Sequence, residues 1–145
     1  MKAASKLREG ARTSVRMRGF TIHMDEPRDA GGDDSAPTPQ EMLAGSLGSC
    51  MAITAKMYAE RKGWPLEGVD VSIEIVRFLA SDYPSAAGQT GYVHEIREDV
   101  TLYGPLDDQQ RSRLLQIAQR CPVSRALGTP SYFVANLHAG ESSDN

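Results

Sequence analysis

Long apolar runs are missing from this 145-residue chain. Its longest apolar stretches are too short and too interrupted to span a bilayer. A basic excess is missing as well: 16 Lys and Arg stand against 19 Asp and Glu, for a net charge of −3. No positive field therefore awaits nucleic acid. The start, Met1-Lys2-Ala3-Ala4-Ser5-Lys6-Leu7-Arg8, has no apolar core behind its positive residues and does not read as a secretory signal. No internal repeat, low-complexity block or second domain interrupts the sequence, so one domain over 1–145 is expected, burying roughly two thirds of its unfolded surface. A cytoplasmic address follows, where thiols rest reduced and a structural disulfide is out of place. Cysteine itself is scarce, with only Cys50 and Cys121 present. His23, His94 and His138 form no close pair with each other or with the thiols, so neither a metal nor another cofactor is expected.

The pattern of what is present is α+β. Arg12 to His23 alternates weakly around Gly19 and fits a hairpin or a bent strand pair. Asp25 to Pro39 is dense in Gly, Asp and Pro and reads as a loop. A long helix is predicted from Pro39 to Lys62, with Thr38 as its cap, Pro39 in its first turn, Glu41 at the positive end of its dipole, and Gly63-Trp64-Pro65 as its stop. Val69, Val71, Ile73 and Ile75 alternate with Asp70, Ser72 and Glu74, the signature of a strand with one wet face. Ala80 to Gly91 reads as a loose connection and His94 to Leu102 as a second long strand. After the Tyr103-Gly104-Pro105 turn, Leu114, Leu115, Ile117 and Ala118 form the stripe of a second helix. Ser131 to Leu137 is predicted as a last strand, and 139–145 as a frayed polar tail.

The cysteines occupy distinctive settings. Leu43, Leu47, Cys50, Met51 and Thr54 recur at three- and four-residue steps, placing Cys50 on the core-facing stripe of the long helix. The rest of that helix is unusually small, with Ala44, Gly45, Ser46, Gly48 and Ser49. Mid-helix glycines cost about 1 kcal/mol each relative to alanine, which a sequence tolerates where another backbone must come close, so this helix is expected to be central and to pack against its own copy in a dimer. Cys121 stands directly before Pro122, a residue suited to a first helical position, so it is expected to cap a short helix through Leu127. A thiol there would feel the positive end of a helix dipole, which lowers thiol pKa. Each cysteine reads either as a small buried hydrophobe or as a reactive thiol.

Thr38-Pro39-Gln40-Glu41-Met42-Leu43 with Cys50, followed by Cys121-Pro122-Val123, resembles the OsmC/Ohr family of thiol-dependent peroxidases. The resemblance runs from about Arg8 to Leu137 and takes in the Asp25-Glu26-Pro27 turn and the Gly31-Gly32 loop. It implies an OsmC-like fold with antiparallel sheets around a long central helix, assembled as an intertwined homodimer. It also implies reduction of organic hydroperoxides, and less efficiently of hydrogen peroxide, with Cys50 as attacking thiol, Cys121 as resolving thiol, a Cys50–Cys121 disulfide, and an external thiol or dithiol as reductant. Neither nucleic acid nor membrane is an expected partner.

Two positions depart from the family's pattern. Its peroxidase branches place a Glu, paired with an Arg, where this chain has Gln40; Glu41 lies one residue further on, a swing of about 100° around a helix. For the Arg, Arg8 is the first candidate by spacing and Arg28 the second, while Arg16 and Arg18 are expected on a strand surface. The competing expectation is a non-catalytic dimeric module that binds an apolar small molecule and keeps its cysteines as core residues.

Overall fold

In the computed structural model, which describes residues 1–139, helix α1 (Pro39–Lys62) is the element on which the core is built. Its ends follow from its sequence. Thr38 Oγ1 accepts the Glu41 N–H at 3.1 Å, and Glu41 Oε2 accepts the Thr38 N–H at 2.8 Å, a reciprocal capping box. At the other end Gly63 takes the left-handed conformation (φ 66°, ψ 27°), and its N–H reaches back to the Ala59 and Glu60 carbonyls. Glycine reaches that region without a Cβ penalty.

Strands β4 (Gly68–Leu79) and β5 (Tyr92–Tyr103) form a long antiparallel hairpin that packs on α1. Alternation puts Val69, Val71 and Ile73 of β4, and Ile96, Val100 and Leu102 of β5, against the buried cluster of Leu47, Met51, Ala55 and Ala59. Gly48 explains one of the mid-helix glycines: a Cβ there would stand 3.4 Å from Ile73 Cγ1 and 3.6 Å from the Val71 carbonyl oxygen. The close backbone is therefore a strand of the same chain. Gly45, by contrast, has nothing within 4 Å of where its Cβ would be. Helix α2 (Asp108–Ala118) starts with a second capping box, between Asp107 and Gln110, and buries Leu114 and Ala118 against α1. Helix α3 (Pro122–Leu127) follows at once and also packs on α1.

The N-terminal region holds three strands rather than two: β1 (Ala4–Leu7), β2 (Thr13–Met17) and β3 (Phe20–Met24), in the order β1-β2-β3. β1 escapes sequence reading because all four of its residues are exposed and carry no alternating apolar signal. Arg16 is exposed on β2 as expected, but Arg18 sits in the β2–β3 turn with a φ of 54°, over the Phe20 ring. This sheet makes no more than marginal contact with α1 or with the β4–β5 hairpin.

Three further segments add to or depart from expectation. The 80–91 segment is ordered by 3-10 turns at Ala80–Asp82 and Pro84–Ala86, each burying an alanine. The loop between β3 and α1 is organised by buried Asp25, whose carboxylate accepts the N–H groups of Glu26, Asp33 and Ser35 and the Ser35 hydroxyl at 2.7 Å. The third difference is a correction. Ser131 to Leu137 is not a strand, and Tyr132, Phe133, Val134 and Leu137 are each at least 90 % exposed. A strand needs a neighbour for its N–H and C=O groups, and among the described residues no sheet edge receives the segment. The expected tail falls, apart from residue 139, outside the described residues.

Asp25 gives a pH prediction. The Ser35 hydroxyl bond, first, and the N–H groups of Ser35, Glu26 and Asp33 hold its carboxyl below the ordinary carboxylate range, against the opposing effect of burial. Its folded pKa is lowered, so its contribution to stability is present above about pH 4, the unfolded value, and is lost as pH falls through the folded value. Acid unfolding followed by circular dichroism should show Asp25→Ala less stable than the wild type at pH 7, with the difference narrowing toward pH 2. A constant difference across that range would contradict this account.

Candidate thiol site

Cys50 and Cys121 lie on different helices, separated by roughly half the chain, and the fold brings them together. Cys50 is half-buried on α1 and packs against the core cluster that contains Cys121. Cys121 is fully buried and, as predicted, is the cap of α3: its Sγ accepts the Ser124 N–H at 3.3 Å, with Pro122 opening the helix. The two thiols thus share one packed cluster, close enough for Cys50 to influence the ionisation of Cys121.

The expectation that Cys121 is acidified by the helix dipole is not met. Burial, the largest influence, pushes its thiol pKa up; the Ser124 N–H pulls the other way, and the hydrogen bond and charge of Cys50 push it up further. Complete desolvation outweighs what a six-residue helix can offer. A raised folded pKa means that the stability gained by burying this neutral thiol is fully present below about pH 8.5 and is lost as pH rises through the folded value. Thermal melts between pH 7 and 10 should therefore show a steeper alkaline loss in the wild type than in Cys121→Ala. Parallel pH profiles would contradict this.

The remaining sequence candidates are placed as follows. Arg8 lies in the β1–β2 connection and Arg28 opens a 3-10 turn (Arg28–Ala30) in the Asp25 loop; both are exposed, and neither has an ion pair or side-chain hydrogen bond among the described residues. Glu41 spends its carboxylate on the capping box, and its bonds with Thr38 keep its pKa below the usual carboxylate value. Of the sequence candidates, the structure thus unites Cys50 with Cys121 and ties neither Arg8, Arg28 nor Glu41 to either sulfur.

A groove of about 1000 Å³ opens between the start of α1, the β4–β5 hairpin and the end of α3, and neither cysteine is among the residues that line it. Gln40 and Glu41 stand on one wall, Ile75 and Ile96 on the sheet, and Leu127 on α3. Arg77 and His94, directly opposed in the strand register, also line it. Sequence reading passed over Arg77 and weighed His94 only as a metal ligand. A signal was available: both occupy positions that strand alternation assigns to the core face, where a charged or polar residue is out of pattern. Arg77 has no acidic partner among the described residues, and its guanidinium lies 4.6 Å from the centroid of the Tyr92 ring. Among the described residues no cluster of His, Cys, Asp and Glu is placed to hold a metal, and no helix is long and apolar enough to cross a membrane.

Residues 32–134 match the family described as OsmC-like protein. No curated protein sequence matches the chain. Among solved structures, one from Psychrobacter arcticus 273-4, described as an osmotic stress induced and detoxification response protein, is 25% identical with a TM-score of 0.65, over 87% of each chain. An organic hydroperoxide resistance protein OsmC from Legionella pneumophila is 19% identical with a TM-score of 0.63, over 88% of this chain and 89% of that one. The organic hydroperoxide resistance protein OhrB of Bacillus subtilis is 14% identical with a TM-score of 0.59, over 86% and 87%. At identities this low, the latter two carry the fold.

Proposed function

The chain belongs to the OsmC-like protein family, and we propose that it is a thiol-dependent peroxidase that reduces organic hydroperoxides, and hydrogen peroxide less efficiently. The observation that carries this reading is the packing of the two cysteines in one cluster, Cys50 half-buried and Cys121 fully buried. A Cys50 thiolate attacks the terminal peroxide oxygen. The O–O bond breaks, the alkoxide takes a proton and leaves as the alcohol, and Cys50 becomes a sulfenic acid. The Cys121 sulfur then attacks the Cys50 sulfur and expels water, forming the disulfide. The thiols have supplied the two electrons, and an external dithiol restores them by exchange. The raised pKa of Cys121 suits the resolving role, because its thiol stays protonated and leaves the first attack to Cys50.

The working unit is a homodimer of single-domain subunits in a reducing, cytoplasmic setting. An ordinary thiol, with a pKa of about 8.5, is only a few per cent ionised near pH 7, so attack needs a cation near the sulfur. Two sources compete. Arg8 has the spacing the family resemblance favours, and from its exposed sheet it would reach a thiol through a second copy. Arg77 is already in the groove of its own chain.

The test is steady-state consumption of cumene hydroperoxide with dithiothreitol as reductant. Turnover well above dithiothreitol alone, and faster than with hydrogen peroxide, is the expected result. A rate equal to the uncatalysed background would favour the non-catalytic binding module instead. Single-turnover alkylation at pH 7 separates the cations: loss of the activating guanidinium in Arg8→Ala, Arg28→Ala or Arg77→Ala should slow Cys50 by about tenfold. Three unchanged rates would remove all three arginines from the mechanism.

A further inference from the structure

A second groove, of about 620 Å³, lies where the end of α1 meets the start of α2, within the size range of small-molecule sites. Tyr58, Lys62 and Trp64 form one side, and Gln109, Arg113 and Gln116 the other. Tyr58 follows Cys50 by two turns of α1, roughly 12 Å along its axis, so this groove is separate from the thiol pair.

Three cations converge on the Tyr58 ring. Arg61 Cζ is 5.2 Å from the ring centroid, Arg113 Cζ 5.7 Å and Lys62 Nζ 5.8 Å. None of the three is in an ion pair among the described residues. Arg113 makes only long bonds to neutral acceptors, Nε to Tyr58 Oη at 3.4 Å and an Nη to Gln116 Oε1 at 3.2 Å. A guanidinium matched to an anion sits closer to 2.8 Å, as Arg97 does with Glu74 at 2.8 Å. In a chain of net charge −3, this cluster is a local concentration of positive charge without an ion-pair partner among the described residues. The same field lowers the Tyr58 phenol pKa, through the Arg113 hydrogen bond first and then the charges of Arg113, Lys62 and Arg61. The one carboxylate on the rim, Asp107, already accepts the Gln110 N–H at 2.7 Å as the cap of α2.

The walls also offer a flat surface. Trp64 stands edge-on to Tyr58, with ring centroids 5.7 Å apart at 71°, and both rings border the groove. Gln109 and Gln116 bring amides that can both donate and accept.

We propose that this groove binds a planar organic phosphate of the nucleoside monophosphate kind. The phosphate takes the fork of Arg113 and the ammonium of Lys62, where bidentate guanidinium geometry matches two phosphate oxygens. The base lies against Tyr58 and Trp64, and the glutamine amides meet its polar edge. A dianion is favoured over a single carboxylate because three cations surround one ring. The ring is required because charge alone would not use the aromatic wall.

Trp64 is the only tryptophan in the chain, so its emission reports on this groove alone. The experiment titrates the reduced full-length protein with AMP, adenosine and inorganic phosphate, reading Trp64 fluorescence with calorimetry in parallel. AMP should bind saturably and more weakly as salt rises, and at least about tenfold more tightly than inorganic phosphate, with adenosine not binding. Arg113→Ala should weaken AMP binding by about tenfold or more, and Lys62→Ala should weaken it too. Arg120→Ala, on the exposed end of the same region, should not. Lys62 is exposed on α1, so its variant answers even where Arg113→Ala fails to fold. Absence of any saturable AMP signal by either readout overturns the proposal. So does AMP binding that Lys62→Ala and Arg113→Ala leave unchanged, or inorganic phosphate binding as tightly as AMP. None of these readouts uses peroxide or thiol chemistry, so their failure and that of the peroxidase reading are distinguishable.

Discussion

Cys50→Ser should abolish peroxide consumption, leaving the uncatalysed background, whereas Cys121→Ser should consume one equivalent per chain and then stop. The asymmetry follows from burial. Cys50 is half-buried on α1, while Cys121 is fully buried at the start of α3 with its thiol pKa pushed up. A peroxide can reach the first sulfur and not the second. Without Cys121 the sulfenic acid on Cys50 has no neighbour to condense with, and it should be trapped by dimedone or drift to the sulfinic acid. Mass spectrometry after one equivalent of cumene hydroperoxide distinguishes these products. A dead Cys121→Ser together with a trapped sulfenic acid in Cys50→Ser would reverse the two roles.

Ile53→Glu combined with Met57→Glu should convert a dimer into monomers. Ile53 and Met57 are 59% and 64% exposed on α1, and stepping back by fours from Ile53 gives Ser49 and Gly45, an apolar and small-residue stripe along the length of the helix. A central helix with apolar residues on more than one face is one that is covered on more than one face. The β4–β5 hairpin and α2 cover one side only. The exposed Tyr132, Phe133, Val134 and Leu137 add a second uncovered surface, and the β1-β2-β3 sheet a third. In the proposed homodimer a second copy of the chain would cover these surfaces, since a two-fold assembly pairs the same patch on both subunits. Two carboxylates buried without partners in such an interface should raise Kd by at least about a hundredfold. Sedimentation at low micromolar concentration should show a wild-type dimer and a monomeric or dissociating variant. A compact wild-type monomer would contradict this.

Most of what positions the site is legible in local sequence. Thr38, Glu41 and Gly63 mark both ends of α1 because capping is a matter of a few neighbouring residues. Pro122 marks α3 and makes Cys121 its cap for the same reason. Strict alternation from Val69 onward gives β4, though not its full length to Leu79. What local sequence does not carry is the environment of a side chain. The cap position of Cys121 suggests an acidic thiol, but its pKa is set by the atoms of α1 that bury it. Arg77 breaks the alternation of β4, but only the register shows that it stands opposite His94 over a groove. Ser131 to Leu137 has strand composition, yet pairing requires an edge, and none among the described residues takes it.

The central claim is that the two thiols are the redox couple, and counting them tests it most directly. Free thiols are titrated in the denatured, fully reduced protein before and seconds after one equivalent of cumene hydroperoxide, with the non-reduced peptide map read alongside. The account predicts that both thiols of each chain disappear together and that a single Cys50–Cys121 disulfide within one chain replaces them. Retention of both thiols, or loss of one with no linkage to the other, would contradict it.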